Sequence, residues 1–288
     1  GLLKPTALDI EGGKPTVMGV HLVSEANRLA YADRDKYVAD VDFVPLPGGS
    51  PARMIDKAYL KQRAGLISRS KSMGTAQPGD LGPTSLGLGG PIPENGTTQV
   101  TIVDAQGNVA SMTTTVESGF GSFHMAKGGF LLNNQLTDFT RPPTLGGKMV
   151  ANAPGPGKRP RSSMSPTIVF DKSGDVFMVT GSPGGNSIVG YVAKTLVAVL
   201  DWGKTAQEAS SLPNIVARGQ TVRVETSDAT AGPNATGKQW LAILSSQGFK
   251  TQEVSGEVSG LNLIVARKDK LEGGSDPRRE GVAIGITK

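Results

Sequence analysis

The chain has 288 residues, 30 basic against 25 acidic side chains for a net charge of +5, and 37% hydrophobic residues, enough to bury a sizeable core in one large domain or two modest ones. With no cysteine and two histidines, disulfides, thiol catalysis, cysteine-ligated metals and a histidine-rich metal site are excluded. The basic excess is dispersed, densest at Lys158-Arg159-Pro160-Arg161 and Arg278-Arg279, and makes no nucleic-acid footprint.

The chain opens Gly1-Leu2-Leu3-Lys4 rather than with Met, which reads as a processed or partial piece of something longer. Over residues 16–40, Met18, Leu22, Ala26 and Leu29 recur at helical spacing opposite Glu25, Arg28 and Asp35, predicting a helix. A second helix is expected from Ala52 to about Ser72, after the breakers Pro45, Pro47, Gly48 and Gly49. Residues 73–96 carry Pro78, Pro83, Pro91 and Pro93 among scattered glycines, a long loop of the kind that is functional or disordered. Residues 98–104 and 109–116 then alternate around Ala105-Gln106-Gly107-Asn108, a β-hairpin pattern. Residues 128–140 read as a strand running into a polar turn, and 141–163 as a loop rich in proline, glycine and basic residues. A further hairpin is expected over 165–170 and 175–182. A helix from Asn186 to about Trp202 follows, whose apolar run is broken by Lys194 and too short to cross a bilayer. A short helix over Thr205 to Ser211, with Thr205 as candidate cap, comes next. A strand over 221–226, a helix over 237–248 and strands around 251–266 complete the pattern. Strands in the middle, helices outside and no internal repeat predict an α+β layered fold.

Chemistry concentrates at Asn95-Gly96-Thr97-Thr98. Asn-Gly is a hairpin-turn dipeptide, yet residues 81–94 do not alternate and offer no strand ahead of such a turn. With the two following strands antiparallel, paired positions sum to about 213, give or take one residue. Thr115 and Glu117 then return beside Thr97 and Thr98, bringing hydroxyls and a carboxylate to a loop-to-strand junction, although threonine-rich strand pairs also arise from packing alone. The stretch TGSPGGNS, 180–187, leads from a strand into a helix, where exposed backbone N–H groups suit an anion or oxyanion, or simply turn the chain. RPRSSMSP, 159–166, sets Ser162 and Ser163 beside Arg161 in a polar loop. GPNATGKQ, 232–239, approaches the phosphate-binding pattern G-x-x-x-x-G-K-S/T, but Gln239 stands where the Mg²⁺-binding hydroxyl belongs. Ser68-Arg69-Ser70-Lys71 matches S-x-x-K without that class's companion motifs. No G-x-S-x-G occurs, and His21 and His124 are read as structural.

In order and spacing these pieces resemble the γ-glutamyltransferases (γ-glutamyl transpeptidases). TTQVTIVDAQGNVASMTTTV with GFLLNNQLTDF is similar to the opening of that family's small subunit, and RPRSSMSPTIV and TGSPGG to its next two signatures. SEANRLAYADRDKYVADVDFV, 24–44, resembles the end of its large subunit, and GGSDPRREGVAIG its C-terminal signature. The resemblance implies an N-terminal-nucleophile hydrolase fold, an αββα sandwich lacking its N-terminal part, matured by self-cleavage between Gly96 and Thr97. Residues 1–96 would be the large-subunit tail and processing loop, residues 97–288 the small catalytic subunit, and the cut pieces partners in a heterodimer.

The same resemblance implies roles. Thr97 is the nucleophile and Thr115 its supporting hydroxyl; Gly184 and Gly185 supply the oxyanion N–H groups. Gln135 and Asp138 hold the substrate's α-amino end, and Ser162 and Ser163 its α-carboxylate. Two positions depart from the family pattern. Glu117 stands where many members have Asn, and would repel a carboxylate or bind an amine. Arg161 replaces an apolar residue and would add positive charge at the serine pair. The arginine that clamps the α-carboxylate belongs to the missing large-subunit part. No cofactor, metal, nucleic acid or membrane span is implied. The expected substrate is a γ-glutamyl amide such as glutathione, with water or an amine as acceptor and a periplasmic or secreted address. The alternatives are a glutaryl-type (cephalosporin) acylase on the same machinery, or an unprocessed non-catalytic fragment.

Overall fold

The first helix is built around polar residues as much as apolar ones. Thr16 starts it by accepting the Gly19 N–H at 3.2 Å, and α1 then runs Val17–Tyr37. The computed structural model describes residues 10–11, 14–89, 96–228, 232–256 and 258–286, so Asn95 of the Asn-Gly pair lies outside the described residues. Leu22, Val23, Leu29 and Tyr31 of α1 are buried, and so are His21, Glu25, Arg28, Asp33 and Arg34. Buried charges need partners, and residues 65–89 supply many of them. His21 Nε2 meets Ser68 O, Arg28 donates to Ser72 Oγ, Glu25 accepts from Met73 N, and Asp33 accepts from Gly79 N.

That wrapping explains a difference from the sequence expectation. The second helix does not reach Ser72: a 3₁₀ stretch Pro51–Ile55 leads into α2, Lys57–Ala64, and the chain then unwinds to serve α1. Ser68 to Lys71 therefore lies on irregular chain, not on a helix.

The main sheet contains β3 (Thr167–Phe170), β4 (Val176–Gly181), β8 (Asn262–Arg267) and β9 (Lys270–Ser275), antiparallel in the order β9-β8-β4-β3. Helix α3 (Ile188–Leu200) and the short α4 (Ala206–Ser211) pack against it, α4 held by a Thr205–Glu208 capping box. Met178, Tyr191, Val199, Trp202, Leu263 and Val265 join Leu22 and Val23 of α1 in one core. Each such side chain stabilises the fold by about 1.5–3 kcal/mol relative to exposure. A second sheet has β6 (Thr221–Asp228) between antiparallel β5 (Ile215–Arg218) and parallel β7 (Lys250–Ser255), with α5 (Ala235–Ser246) as the crossover. Val222, Val224, Trp240 and Leu244 form its core with Val20 of α1.

Two details dispose of the phosphate-loop pattern. Asn234 caps α5 by accepting from Gly237 N, and a Cβ on Gly237 would fall 1.9 Å from Glu225 O. The glycine is there for close helix-to-strand packing. Among the described residues no helix is long and apolar enough to cross a membrane, and no group of three or more His, Cys, Asp or Glu is placed to hold a metal.

The hairpin of β1 (Thr97–Val103) and β2 (Val109–Thr115) packs against β4 and β8. It is tied to them by side chains: Ser111 Oγ donates to Thr180 O at 3.0 Å and Asn262 Nδ2 to Gln99 O at 3.2 Å. Residues 128–140 do not form the expected strand. A single Met125–Leu131 bridge and a 3₁₀ turn Gln135–Asp138 stand there instead.

Candidate active site

Thr97 opens β1 and pairs directly with Thr115 at the end of β2. Thr97 is 6% exposed, and its Oγ1 donates to Thr115 Oγ1 at 3.2 Å. The Thr115 hydroxyl donates in turn to the carbonyl oxygen of Gly96 at 3.1 Å and accepts from Glu117 N at 2.8 Å. One hydroxyl thus touches the candidate nucleophile and the carbonyl it would attack. Gly96 has φ of 106°, and a Cβ there would lie 2.6 Å from the Ser118 carbonyl carbon. No other residue holds that carbonyl in this position without moving backbone.

Beyond Thr115 the chain turns sharply. Glu117 takes φ of 76° and is buried, its carboxylate accepting from Asn134 Nδ2. Asn134 also accepts from Ser118 N at 3.0 Å, so it locks the turn against the Gln135–Asp138 segment. There Gln135 Nε2 donates to Asp138 Oδ2, while Asp138 Oδ1 and Gln135 Oε1 are buried without a partner. Burial pushes the Asp138 carboxyl up to about 6; the Gln135 bond and the Arg34 charge oppose this, and the Glu117 charge adds to it. A buried carboxylate oxygen and a buried amide oxygen, both without a hydrogen-bond partner among the described residues, suit a primary ammonium group.

The serine pair splits. Ser162 is exposed and accepts from Met164 N, whereas Ser163 is buried and accepts from Arg34 Nη2. Arg161 does not face the serines as the sequence leads one to expect. Its guanidinium lies against the end of α1, on Arg34 O at 3.3 Å and the Asp35 carboxylate at 3.5 Å. Helix-end carbonyls attract a cation, and α1 ends beside this loop. The arginine on Ser163 is Arg34, which sequence reasoning passed over as one more polar helix position.

Gly184 and Gly185 follow β4 with φ of 129° and 57°, and a 3₁₀ turn Gly185–Ser187 leads into α3. A Cβ on Gly184 would meet the Tyr191 ring at 2.4 Å. The turn is held from α1, where Tyr31 Oη donates to Asn186 O at 2.6 Å and Arg34 to Asn186 Oδ1 at 3.4 Å. A cavity of about 230 Å³ borders Thr97 and is lined also by Pro183, Asn262, Asp276 and Arg279. Arg279 Nη1 donates to Thr97 O at 3.3 Å. None of Glu117, Gln135, Asp138 or Ser163 lines that cavity. His21, bonded to Gln247 and Ser68, and exposed His124 take no part in the Thr97 cluster.

The profile of the family described as gamma-glutamyltranspeptidase matches residues 5–286. The chain belongs to this family. It is 35% identical over 271 residues to the glutathione hydrolase proenzyme of Escherichia coli (strain K12), covering 90% of this chain and 43% of that protein. It is 32% identical over 270 residues to the acylase ACY 1 proenzyme of Pseudomonas sp. (strain SE83), with 93% and 44% covered. The chain therefore spans less than half the length of these two relatives. Among solved structures, a γ-glutamyltranspeptidase from Pseudomonas nitroreducens complexed with L-DON superposes with a TM-score of 0.54 at 31% identity, over 66% of this chain and all of that one. A cephalosporin acylase from Bacillus halodurans reaches a TM-score of 0.76 at 23% identity, over 95% of this chain and 46% of that one. The architecture is thus α+β of the N-terminal-nucleophile hydrolase type, as the sequence resemblance implied.

Proposed function

We propose that this chain is a self-processing threonine amidohydrolase that releases its nucleophile by cutting Gly96–Thr97 and then takes γ-glutamyl amides as acyl donors. The observation that carries the reading is the chain of hydroxyls Thr97–Thr115–Gly96 O. In the cut, Thr97 Oγ bonds to the Gly96 carbonyl carbon, its proton passes to Thr115, and Thr115 delivers its own proton to the developing Gly96 oxyanion. The C–N bond then breaks as the proton of that hydroxyl passes to the nitrogen of Thr97, which becomes an α-amine while the carbonyl re-forms as an ester. Water opens the ester to leave the Gly96 carboxylate and the free Thr97 hydroxyl. Such an amine, with a pKa of about 7.7–8.0, serves as the base for Thr97 Oγ in turnover. The acyl-enzyme is resolved by water or an amine acceptor, with the Gly184 and Gly185 N–H groups as oxyanion donors. No cofactor enters any step.

The open oxygens of Asp138 and Gln135 favour a γ-glutamyl donor over a glutaryl one, because only the former brings an ammonium group to them. The cut pieces remain joined as a heterodimer through α1, whose Arg34 and Tyr31 hold residues beyond the cut. The periplasmic or secreted address implied by the family belongs to this proposal. The test is release of the anilide from γ-glutamyl and glutaryl anilides by the full chain and by Thr97→Ala. Release from the γ-glutamyl compound that is lost in the variant bears the proposal out. A single uncut chain with no release marks the non-catalytic alternative, and preference for the glutaryl compound marks the acylase.

A further inference from the structure

Two carbonyls of β1 are turned away from β2. Thr97 O accepts from Arg279 Nη1 at 3.3 Å, and Gln99 O accepts from Asn262 Nδ2 at 3.2 Å. In an antiparallel pair the N–H and C=O of one residue point to the same side. The nitrogen of Thr97 therefore also faces that edge, along which the cavity lies. Cutting at Gly96 turns this nitrogen into an amine. In extended chain a residue's nitrogen lies about 3 Å from its own carbonyl oxygen. The amine is thus within about 6 Å of Arg279 Nη1.

The charges around this nitrogen favour its neutral form. Asp276, Arg279 and Glu280 border the cavity, and Glu117 lies in the turn after β2. Asp276 is paired with Arg278 at 2.9 Å, and the Glu117 carboxylate is engaged by Asn134 Nδ2. Glu280 is exposed, where water and salt screen it. Arg279 is the cation bonded to Thr97 itself, and its other bond goes to a carbonyl too, Val258 O at 2.8 Å. A cation beside an amine disfavours the ammonium form.

We infer that Arg279 is the positioning residue of the base in turnover, its guanidinium holding the Thr97 α-amine below the ordinary α-amine range so that it is neutral at neutral pH. The inference rests on the self-cutting reading above and adds to it the residue that tunes the base. In acyl transfer the amine takes the Oγ proton as Oγ bonds to the acyl carbon, then hands it to the leaving nitrogen as the C–N bond breaks. An ammonium cannot take that proton, so the fraction of neutral amine scales the rate. Arg279 touches Thr97 and not the substrate.

The test titrates the amine directly and through the rate. The full chain, labelled with carbon-13 threonine and allowed to cut itself, is followed by NMR from about pH 5 to about pH 10, a span that brackets the ordinary α-amine value. The Thr97 resonance is assigned by its loss in Thr97→Ser. In parallel, kcat for a γ-glutamyl anilide is measured at saturation, where it reports groups in the substrate complex. Arg279→Gln removes the charge and Arg279→Lys keeps it; thermal melting checks that both fold.

In the unaltered chain the Thr97 amine is expected to titrate about one pH unit below the ordinary range of about 7.7–8.0. Arg279→Gln returns it to that range, and Arg279→Lys leaves it nearly where it was. At about pH 6.5 kcat falls severalfold in Arg279→Gln, while at about pH 9 it stays within about twofold. An unaltered chain whose amine titrates at or above the ordinary range overturns the inference, even if Arg279→Gln fails to fold or to cut. Equal shifts in the Gln and Lys variants overturn it as well, as does a loss of kcat that is the same at both pH values, which marks a structural role. A chain that stays uncut has no such amine: the self-cutting reading itself then fails, and the inference fails with it.

Discussion

Replacing Thr115 with Val removes one oxygen and keeps the β-branched shape, so β2 and its pairing with Thr97 are retained. That oxygen makes three hydrogen bonds: from Thr97 Oγ1 at 3.2 Å, from Glu117 N at 2.8 Å and to Gly96 O at 3.1 Å. The lost donor to Gly96 O is of the oxyanion kind, worth roughly 10²–10³ in rate. The Glu117 N–H, left without its acceptor in a residue only 6% exposed, costs about 1–3 kcal/mol of stability. Cutting at Gly96 is therefore expected to slow by roughly two to three orders of magnitude. Thr115→Ser, which restores the oxygen on a freer side chain, recovers most of the rate. The assay is a time course of intact mass on freshly purified protein. Cutting by Thr115→Val within about threefold of the unaltered chain would refute the relay, because the rate lost would be far below that of one oxyanion donor.

Two other consequences concern charge. Because burial pushes the Asp138 carboxyl up to about 6, its carboxylate is expected to bind an ammonium group only as pH rises through that value. kcat/KM for a γ-glutamyl anilide relative to a glutaryl anilide should climb between about pH 5 and about pH 7, and Glu117→Gln, which removes a like charge, should move that rise to lower pH; an unmoved profile refutes the coupling. For stability the sign is the reverse: a carboxyl raised in the folded state stabilises the fold below its ordinary value, and that contribution is lost as pH rises through about 6. Arg278 lies between Glu225 and Asp276, with all three side chains at most 3% exposed. Arg278→Met strands two buried carboxylates and should cost about 3–5 kcal/mol. That corresponds to a Tm lower by roughly 10 °C, and a fall of less than about 3 °C would contradict it.

The meeting of Thr97 and Thr115 was legible in the sequence because hairpin pairing is local. The register came out one residue away, with Thr97 opposite Thr115 rather than Val116. Asp104, taken as the last strand residue, belongs to the turn, where it accepts from Gln106 N and Asn108 N. Alternation along the hairpin shows which residues share a face but not which face is covered. Here Thr97, Gln99, Thr101, Ser111 and Thr113 lie on the more covered face, toward β4 and β8, and Thr98 and Thr114 share the exposed face with Val100, Ile102 and Met112. Arg34 was not legible, because nothing local to α1 records a contact with Ser163, 129 positions away. The over-long second helix has the same origin: His21, Glu25 and Arg28 draw residues 68–73 out of helical form, and helical propensity cannot see that demand. Strand β9, LysLeuGluGlyGlySer in one-letter form KLEGGS, has little intrinsic strand character; it forms because β8 offers it an open edge.

The central claim is that Thr97 becomes an N-terminus by its own hydroxyl. Intact mass and N-terminal sequencing of the full chain beside Thr97→Ala test it most directly. The account predicts two pieces, residues 1–96 and residues 97–288 with Thr97 first, and an uncut variant. A chain that stays whole, or a Thr97→Ala variant that is cut at the same bond, would contradict it.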